Sequence, residues 1–148
     1  MSLELTIITA DQHLHYSQVT RIILPTPQGQ LGVLPGHTWL VSLVDCGVLR
    51  VFLAGSDKAA APHKRPLLLA LSTGLAKISS DHVILLMNDV RQRDAINHDH
   101  ACARSLEIAR ARSGESALGP AERQDLEEEA AFLNAQLTLI DMDGGDPN

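Results

Sequence analysis

The chain has 148 residues, 45% of them apolar and 3% aromatic, with two cysteines and a formal charge of -6. That length can bury a working core without disulfides or metals, and the scarcity of aromatics argues against a binder that stacks single-stranded bases. The negative balance opposes neutralisation of a phosphate backbone by the surface as a whole, so no nucleic-acid partner is expected.

Leu3, Leu5 and Ile7 alternate with Glu4 and Thr6, which reads as a half-buried strand over 3–9. Asp11 and Gln12 read as a turn, and Gln18 to Leu24 as a second strand. Pro25-Thr26-Pro27-Gln28-Gly29 is strong punctuation, because proline fixes φ and glycine permits positive φ. Leu31 to Leu34 is a short strand stopped by Pro35-Gly36, and Trp39 to Val44 is another. Asp45-Cys46-Gly47 turns the chain into a hairpin partner over Val48 to Ala54. Gly55 to Arg65 is a polar, Ala-rich loop carrying Lys58, His63, Lys64 and Arg65.

Pro66 to Leu71 is almost continuously apolar, as in a strand covered on both faces. Turns at Ser72-Thr73-Gly74 and Ser79-Ser80-Asp81 separate it from strands over Leu75 to Ile78 and His82 to Met87. Short strands at this spacing predict an antiparallel β-sandwich or flattened barrel over 1–89.

After Asp89 the composition shifts to Ala, Arg and Glu, and two helices are predicted in an antiparallel hairpin over 90–142. The first spans about Asn97 to Arg112, capped by Asn97 or Asp99, with Cys102, Leu106 and Ala109 on one stripe. Ser113 to Gly119 breaks it, and Pro120 suits the first turn of the next helix. Leu126, Ala130, Leu133, Leu137 and Ile140 recur in alternating steps of four and three, a narrow seam fit for one partner helix. Residues 143–148 are expected to form a disordered tail.

The N-terminal MSLELTIITADQH has neither a basic start nor a long apolar run, so no signal peptide is expected. No stretch approaches the roughly 20 apolar residues of a membrane helix, so direct membrane insertion is not expected. Cys46 and Cys102 read as two reduced, structurally incidental thiols.

Little in the sequence supports an enzyme. There is no G-x-S-x-G, no phosphate loop and no C-x-x-C. Gly29, Gly32 and Gly36 surround a turn and a strand, not a helix entrance, so they make no phosphate cradle. Glu127-Glu128-Glu129 reads as a solvated helix face. The histidine pairs His13/His15 and His98/His100 have no clear third and fourth ligands beyond Asp99 and Cys102, and closed zinc sites take four. No metal, cofactor or catalytic residue is expected.

The stretch Leu24-Pro25-Thr26-Pro27-Gln28-Gly29-Gln30-Leu31-Gly32-Val33-Leu34-Pro35-Gly36-His37 resembles the epsilon subunit of bacterial and chloroplast rotary ATP synthases. There, an apolar strand leads into a turn, then G-x-x-G, then L-P-G-H. The opening LELTIITADQ, the segment around Asp45-Cys46-Gly47-Val48-Leu49 and the strand Val83 to Asn88 are similar to the family's in the same order. Leu71 to Ile78 resembles its S-G-G-x-x-E-V segment, with Thr73 for the first glycine and Lys77 for the acid.

The resemblance implies a non-catalytic rotor subunit of the central stalk, helping to couple cation flow to ATP synthesis. Its implied partners are the gamma subunit and the ring of c subunits, with the catalytic beta subunit reached through the hairpin. The implied location is the cytoplasmic side of the inner (plasma) membrane, as a peripheral subunit. By position, Gln28, Gly29, Gln30 and Leu31 would face the ring, with His37 and Trp39 just after them. Trp39 reads either as an interface anchor or as a core residue. The alternative is a stand-alone β-sandwich that binds a small ligand or a peptide, with the helices as a dimerisation hairpin.

Two departures matter. Relatives that bind nucleotide carry Ile/Leu-Asp-x-x-Arg-Ala at the first helix, whereas here Ile96 precedes Asn97-His98-Asp99-His100 and Arg104 precedes Ser105, so no nucleotide site is expected. The second helix is also acidic between Pro120 and Ile140, with Arg123 its only cation, where inhibitory relatives are basic. Arg104, Arg110 and Arg112 are placed to face those acids.

Overall fold

The computed structural model describes residues 2–54, 66–113 and 119–144. The expected loop over 55–65, most of the helix break and the final residues 145–148 lie outside the described residues. The strands are β1 (Leu3–Ile8), β2 (His13–Thr26), β3 (Gly29–Val33), β4 (Leu40–Val44), β5 (Gly47–Leu53), β6 (Leu67–Leu71), β7 (Gly74–Ile78), β8 (His82–Met87) and β9 (Val90–Gln92). A 3-10 turn over Arg93–Ala95 leads to α1 (His98–Ser113) and then α2 (Pro120–Gly144).

The strands join in the order β4-β7-β8-β1-β2-β5-β6-β9, with β3 also on β2. The ends do not meet, so the fold is an open sandwich and not a closed, flattened barrel. All pairs are antiparallel except β1 with β8. Those two strands are far apart in sequence, so no tight turn dictates their direction.

The long strand β2 bends the sheet into two layers. Its N-terminal part pairs with β1, and its C-terminal part with β5 on one edge and β3 on the other. Gln18 sits at φ 57, and the register slips between Val19 and Arg21. A positive φ at a non-glycine residue beside a slip marks a β-bulge, which sharpens local twist. The bend divides a segment that the sequence pattern reads as a plain turn and strand.

Between the layers, alternate residues meet. Leu3, Leu5, Ile7, Ile78, Val83 and Leu85 come from one layer, and Ile22, Leu24, Leu49, Val51, Leu69 and Leu71 from the other, each fully buried. Each such side chain contributes about 1.5–3 kcal/mol relative to exposure. β9 is unanticipated: Val90 is buried against this core and the strand pairs with β6, so the sheet runs on past Asp89. Ser72 fixes the approach to β9, since its Oγ donates to the Asp89 carbonyl at 3.0 Å and accepts from the Asp89 amide at 2.6 Å. Thr73, the departure from the family glycine, receives a bond from Asn88 Nδ2 at 2.9 Å.

β6 is covered on both faces, as its apolar run predicts. Leu69 and Leu71 enter the inter-layer core, while Ala70 and Leu68 turn outward under α2. The helix meets them with Ala135, Leu139 and Phe132, joined by Val48 and Ile96. A different stripe of α2, with Leu126, Ala130, Leu133 and Leu137, packs on Ala101 and Ile108 of α1. The second helix therefore serves two partners, not the one its seam suggests. The stripe expected on α1 is also corrected. Leu106 is exposed, and the buried positions are Ala101 and Ile108, seven residues apart. Asn97 caps α1, its Oδ1 accepting from the His100 amide at 3.2 Å. α2 runs to Gly144, so Asp143 and Gly144 belong to the helix.

Candidate partner interface

The turn Pro27-Gln28 links β2 to β3, and Gly29 follows at φ 119, a conformation that L side chains rarely adopt. Thr26 Oγ1 locks it by donating to the Gly29 carbonyl at 2.6 Å. Gln28, Gly29 and Gln30 are exposed and Leu31 is half-buried. Gln28, Gln30 and Leu31 line one open groove with Leu40, Val41, Ser42 and Leu43 of β4. Among the described residues both β3 and β4 are edge strands of the sheet.

Trp39 and His37 do not line that groove. Trp39 is 76% exposed, which removes the core reading of this residue. Its ring lies 5.9 Å from Lys77 Nζ, so the lysine that replaces the family's acid is held over an aromatic face. His37 is half-buried in a turn anchored by Gly36, whose amide donates to the Ser80 carbonyl at 2.7 Å. Its Nδ1 lies 2.7 Å from the Thr38 carbonyl.

The largest feature was not anticipated. Cross-strand register aligns Leu43 with Leu75, Leu75 with Leu86 and Leu86 with Ile8. All four side chains are exposed, and Val41 is exposed one row along. An apolar band therefore crosses the outer face of β4, β7, β8 and β1. Outward positions of a solvated strand are ordinarily polar, and a band of this kind marks an interaction surface. The available signal was local: β7 and β8 read GLAKI and HVILLM, with Leu75, Ile84 and Leu86 apolar at outward positions.

Charges border the band. His82 Nε2 lies 2.7 Å from Glu4 Oε2, and Nδ1 lies 3.4 Å from Asp81 Oδ1. The Asp81 bond, with the Glu4 charge adding to it, raises the imidazole above its ordinary pKa. His13 and His15 share the exposed side of β2, and His15 Nδ1 is 3.2 Å from Thr6 Oγ1. His98 and His100 do not form a pair, because residues two apart on a helix point apart. Among the described residues no group of three or more His, Cys, Asp or Glu side chains could hold a metal. Nor, among them, is any helix long and apolar enough to cross a membrane.

The hairpin is closed by a two-pronged ion pair. Arg104 Nε donates to Glu129 Oε1 at 2.7 Å and Nη2 to Oε2 at 3.1 Å, while Nη1 reaches Glu107 at 3.0 Å. The bond to Arg104 holds the Glu129 carboxyl below its ordinary range. Arg112 approaches Glu127 at 4.0 Å. Arg104 and Arg112 of α1 thus face acids of α2, as their charges predict.

An open β-sandwich with a helical hairpin docked on one face and an apolar band on the other defines an assembly subunit. The family profile described as ATP synthase, Delta/Epsilon chain, beta-sandwich domain matches residues 2–92. An ATP synthase epsilon chain from the chloroplast of Coffea arabica is 36% identical over 136 residues, covering 92% of this chain and 93% of the relative. One from Acaryochloris marina is 32% identical over 139 residues, with 94% of each covered. The chain belongs to the ATP synthase delta/epsilon family. A chain in a structure of the Euglena gracilis mitochondrial ATP synthase, with its F1 part and c-ring, shares the fold. The TM-score is 0.72 at 20% identity, over 94% of this chain and 81% of that one. A chain in a Tetrahymena thermophila central stalk and c-ring structure aligns with a TM-score of 0.57 at 11% identity. None of these comparisons supports a stand-alone binding module.

Proposed function

We propose that the chain works as the epsilon subunit of a rotary ATP synthase, a non-catalytic part of the central stalk. In this reading the apolar band through Leu43, Leu75, Leu86 and Ile8 packs on the gamma subunit, and the turn from Gln28 to Leu31 meets the c ring. The band carries the proposal, because a row of exposed leucines set by strand register needs a partner to leave water. The turn supports it by being uncharged and slim at Gly29, which lets another backbone approach closely. The subunit then couples the ring to gamma and carries torque between them. It sits peripherally on the cytoplasmic side of the inner (plasma) membrane. The relatives named as ATP synthase epsilon chains support that role.

Replacing Leu75 and Leu86 together by Ser tests the band. Loss of co-purification with gamma, from a subunit that remains folded by circular dichroism, is the expected result. Retention of gamma by the folded double variant overturns the assignment. Replacing Gln30 with Lys is expected to weaken ATP-driven cation pumping, and undiminished pumping removes the turn from the contact.

The hairpin has a weak inhibitory role in this reading. Its acidic second helix is held by Arg104 and by burial of Leu139, and both contacts are lost on extension toward a catalytic subunit. An assembled enzyme whose epsilon chain stops after Ala95 should hydrolyse ATP at nearly the full-length rate. A several-fold rise refutes that part.

A further inference from the structure

We propose that the cleft between β5 and α2 binds a small monocarboxylate with a short apolar chain, held by Arg50. Leu49 and Val51 of β5 point into the inter-layer core, so strand alternation puts Val48 and Arg50 on the face that α2 covers. Val48 packs there against the cluster of Ala135 and Leu139. Beside that contact, sheet and helix leave a cleft of about 430 Å³ that Arg50 lines. The volume is that of a site for a small molecule.

The charged and amide groups of the lining are donors without partners. Arg50 is half-buried, and among the described residues it has no hydrogen bond, ion pair or ring contact. Arg21 by contrast lies over the Phe52 ring at 4.0 Å, and Arg104 is gripped by Glu129 at 2.7 Å. The side-chain amides of Gln30 and Asn134 line the same cleft and are likewise unbonded among the described residues. No aspartate or glutamate among the described residues lines it, while Val48, Ala135 and Met142 supply apolar surface. A guanidinium takes a carboxylate through two parallel N–H···O bonds, and the Asn134 amide can donate to the same anion. The apolar lining then receives the carbon chain. A dianion such as phosphate suits the cleft less. Arg50 is its single cation among the described residues, and the helix beside it is acidic.

The probes are acetate, propionate and butyrate, added to the full-length chain at constant ionic strength and followed by proton–nitrogen NMR. Saturable shifts should centre on Val48, Arg50 and Asn134, and affinity should rise with each methylene by up to about fourfold. Arg50→Gln should weaken butyrate binding about tenfold or more. Arg50→Lys, which keeps the charge and loses the fork, should weaken it less. Ala131→Leu enlarges a half-buried lining residue without touching the charge, and should block butyrate in a chain that circular dichroism shows to be folded. Inorganic phosphate should bind more weakly than butyrate. The site is overturned by an absence of saturable shifts with butyrate, by shifts centred elsewhere, or by phosphate binding as tightly as butyrate. Undiminished butyrate binding in folded Arg50→Gln or Ala131→Leu overturns it equally.

Discussion

The two outer faces of the sandwich are alike in chemistry and opposite in fate. Leu68, Ala70 and Val48 on one face are covered by Phe132, Ala135 and Leu139 of α2. Leu43, Leu75, Leu86 and Ile8 on the other are bare. The first face has its partner in the same chain, and the second has none among the described residues. An apolar residue on the outside of a strand is thus a core residue in one place and an exposed one in the other. Only the tertiary structure says which.

The sharpest test of that contrast is a matched pair of truncations. Leu139→Ala on the covered face should cost about 2–5 kcal/mol, because a fully buried leucine leaves a cavity. Denaturant unfolding and amide exchange along α2 measure it. A cost near zero would mean that the helix is not anchored by this face. Gly74→Ala comes next. A Cβ there would collide with the Leu86 carbonyl oxygen and press on Met87, so overpacking by about 1–3 kcal/mol is expected in the same unfolding assay. On the bare face, Leu75→Ser should change the stability of the isolated chain by no more than about 0.5 kcal/mol. A large loss would show that the band is internally supported and not waiting for a partner.

The smallest effects are electrostatic. His82 is raised above 6.5, so its contribution is complete below that value and fades as pH rises through the raised pKa. Glu129 is lowered from 4.5, so its contribution is present above 4.5 and fades as pH falls through the lowered pKa. Proton NMR titration of His82, repeated in Glu4→Gln, should show the pKa moving down toward 6.5 in the variant. An unmoved value would remove Glu4 as a cause.

Much of the fold was legible because local rules and tertiary context agreed. Leu3, Leu5 and Ile7 alternate and are all buried, and the apolar run at Leu67–Leu71 is covered on both faces. Asn97 caps the helix that its position announces. Where the reading failed, a residue's partner lay far along the chain. β9 is three residues long and owes its existence to pairing with β6 and the Ser72–Asp89 clasp. Leu106 fits a helical stripe, yet α2 approaches from the side of Ala101 and Ile108. Phe132 and Leu139 were visible as apolar, but the narrower seam beside them drew the pattern. Gln28, Gln30 and Leu31 were singled out through motif order, and the structure brings them together along one groove. The apolar band escaped because its members come from four strands and meet only through register.

The bulged strand β2 has a mechanical consequence. One continuous backbone from His13 to Thr26 belongs to both layers, bonded to β1 at one end and to β5 and β3 at the other. The two sheets are therefore not separate plates glued by side chains. A twisting load applied to the leucine band enters β1, passes along β2 and reaches the Gln28 turn through covalent bonds and strand ladders. Sliding one plate over the other would require breaking that spine, so the two layers resist a twist as one body.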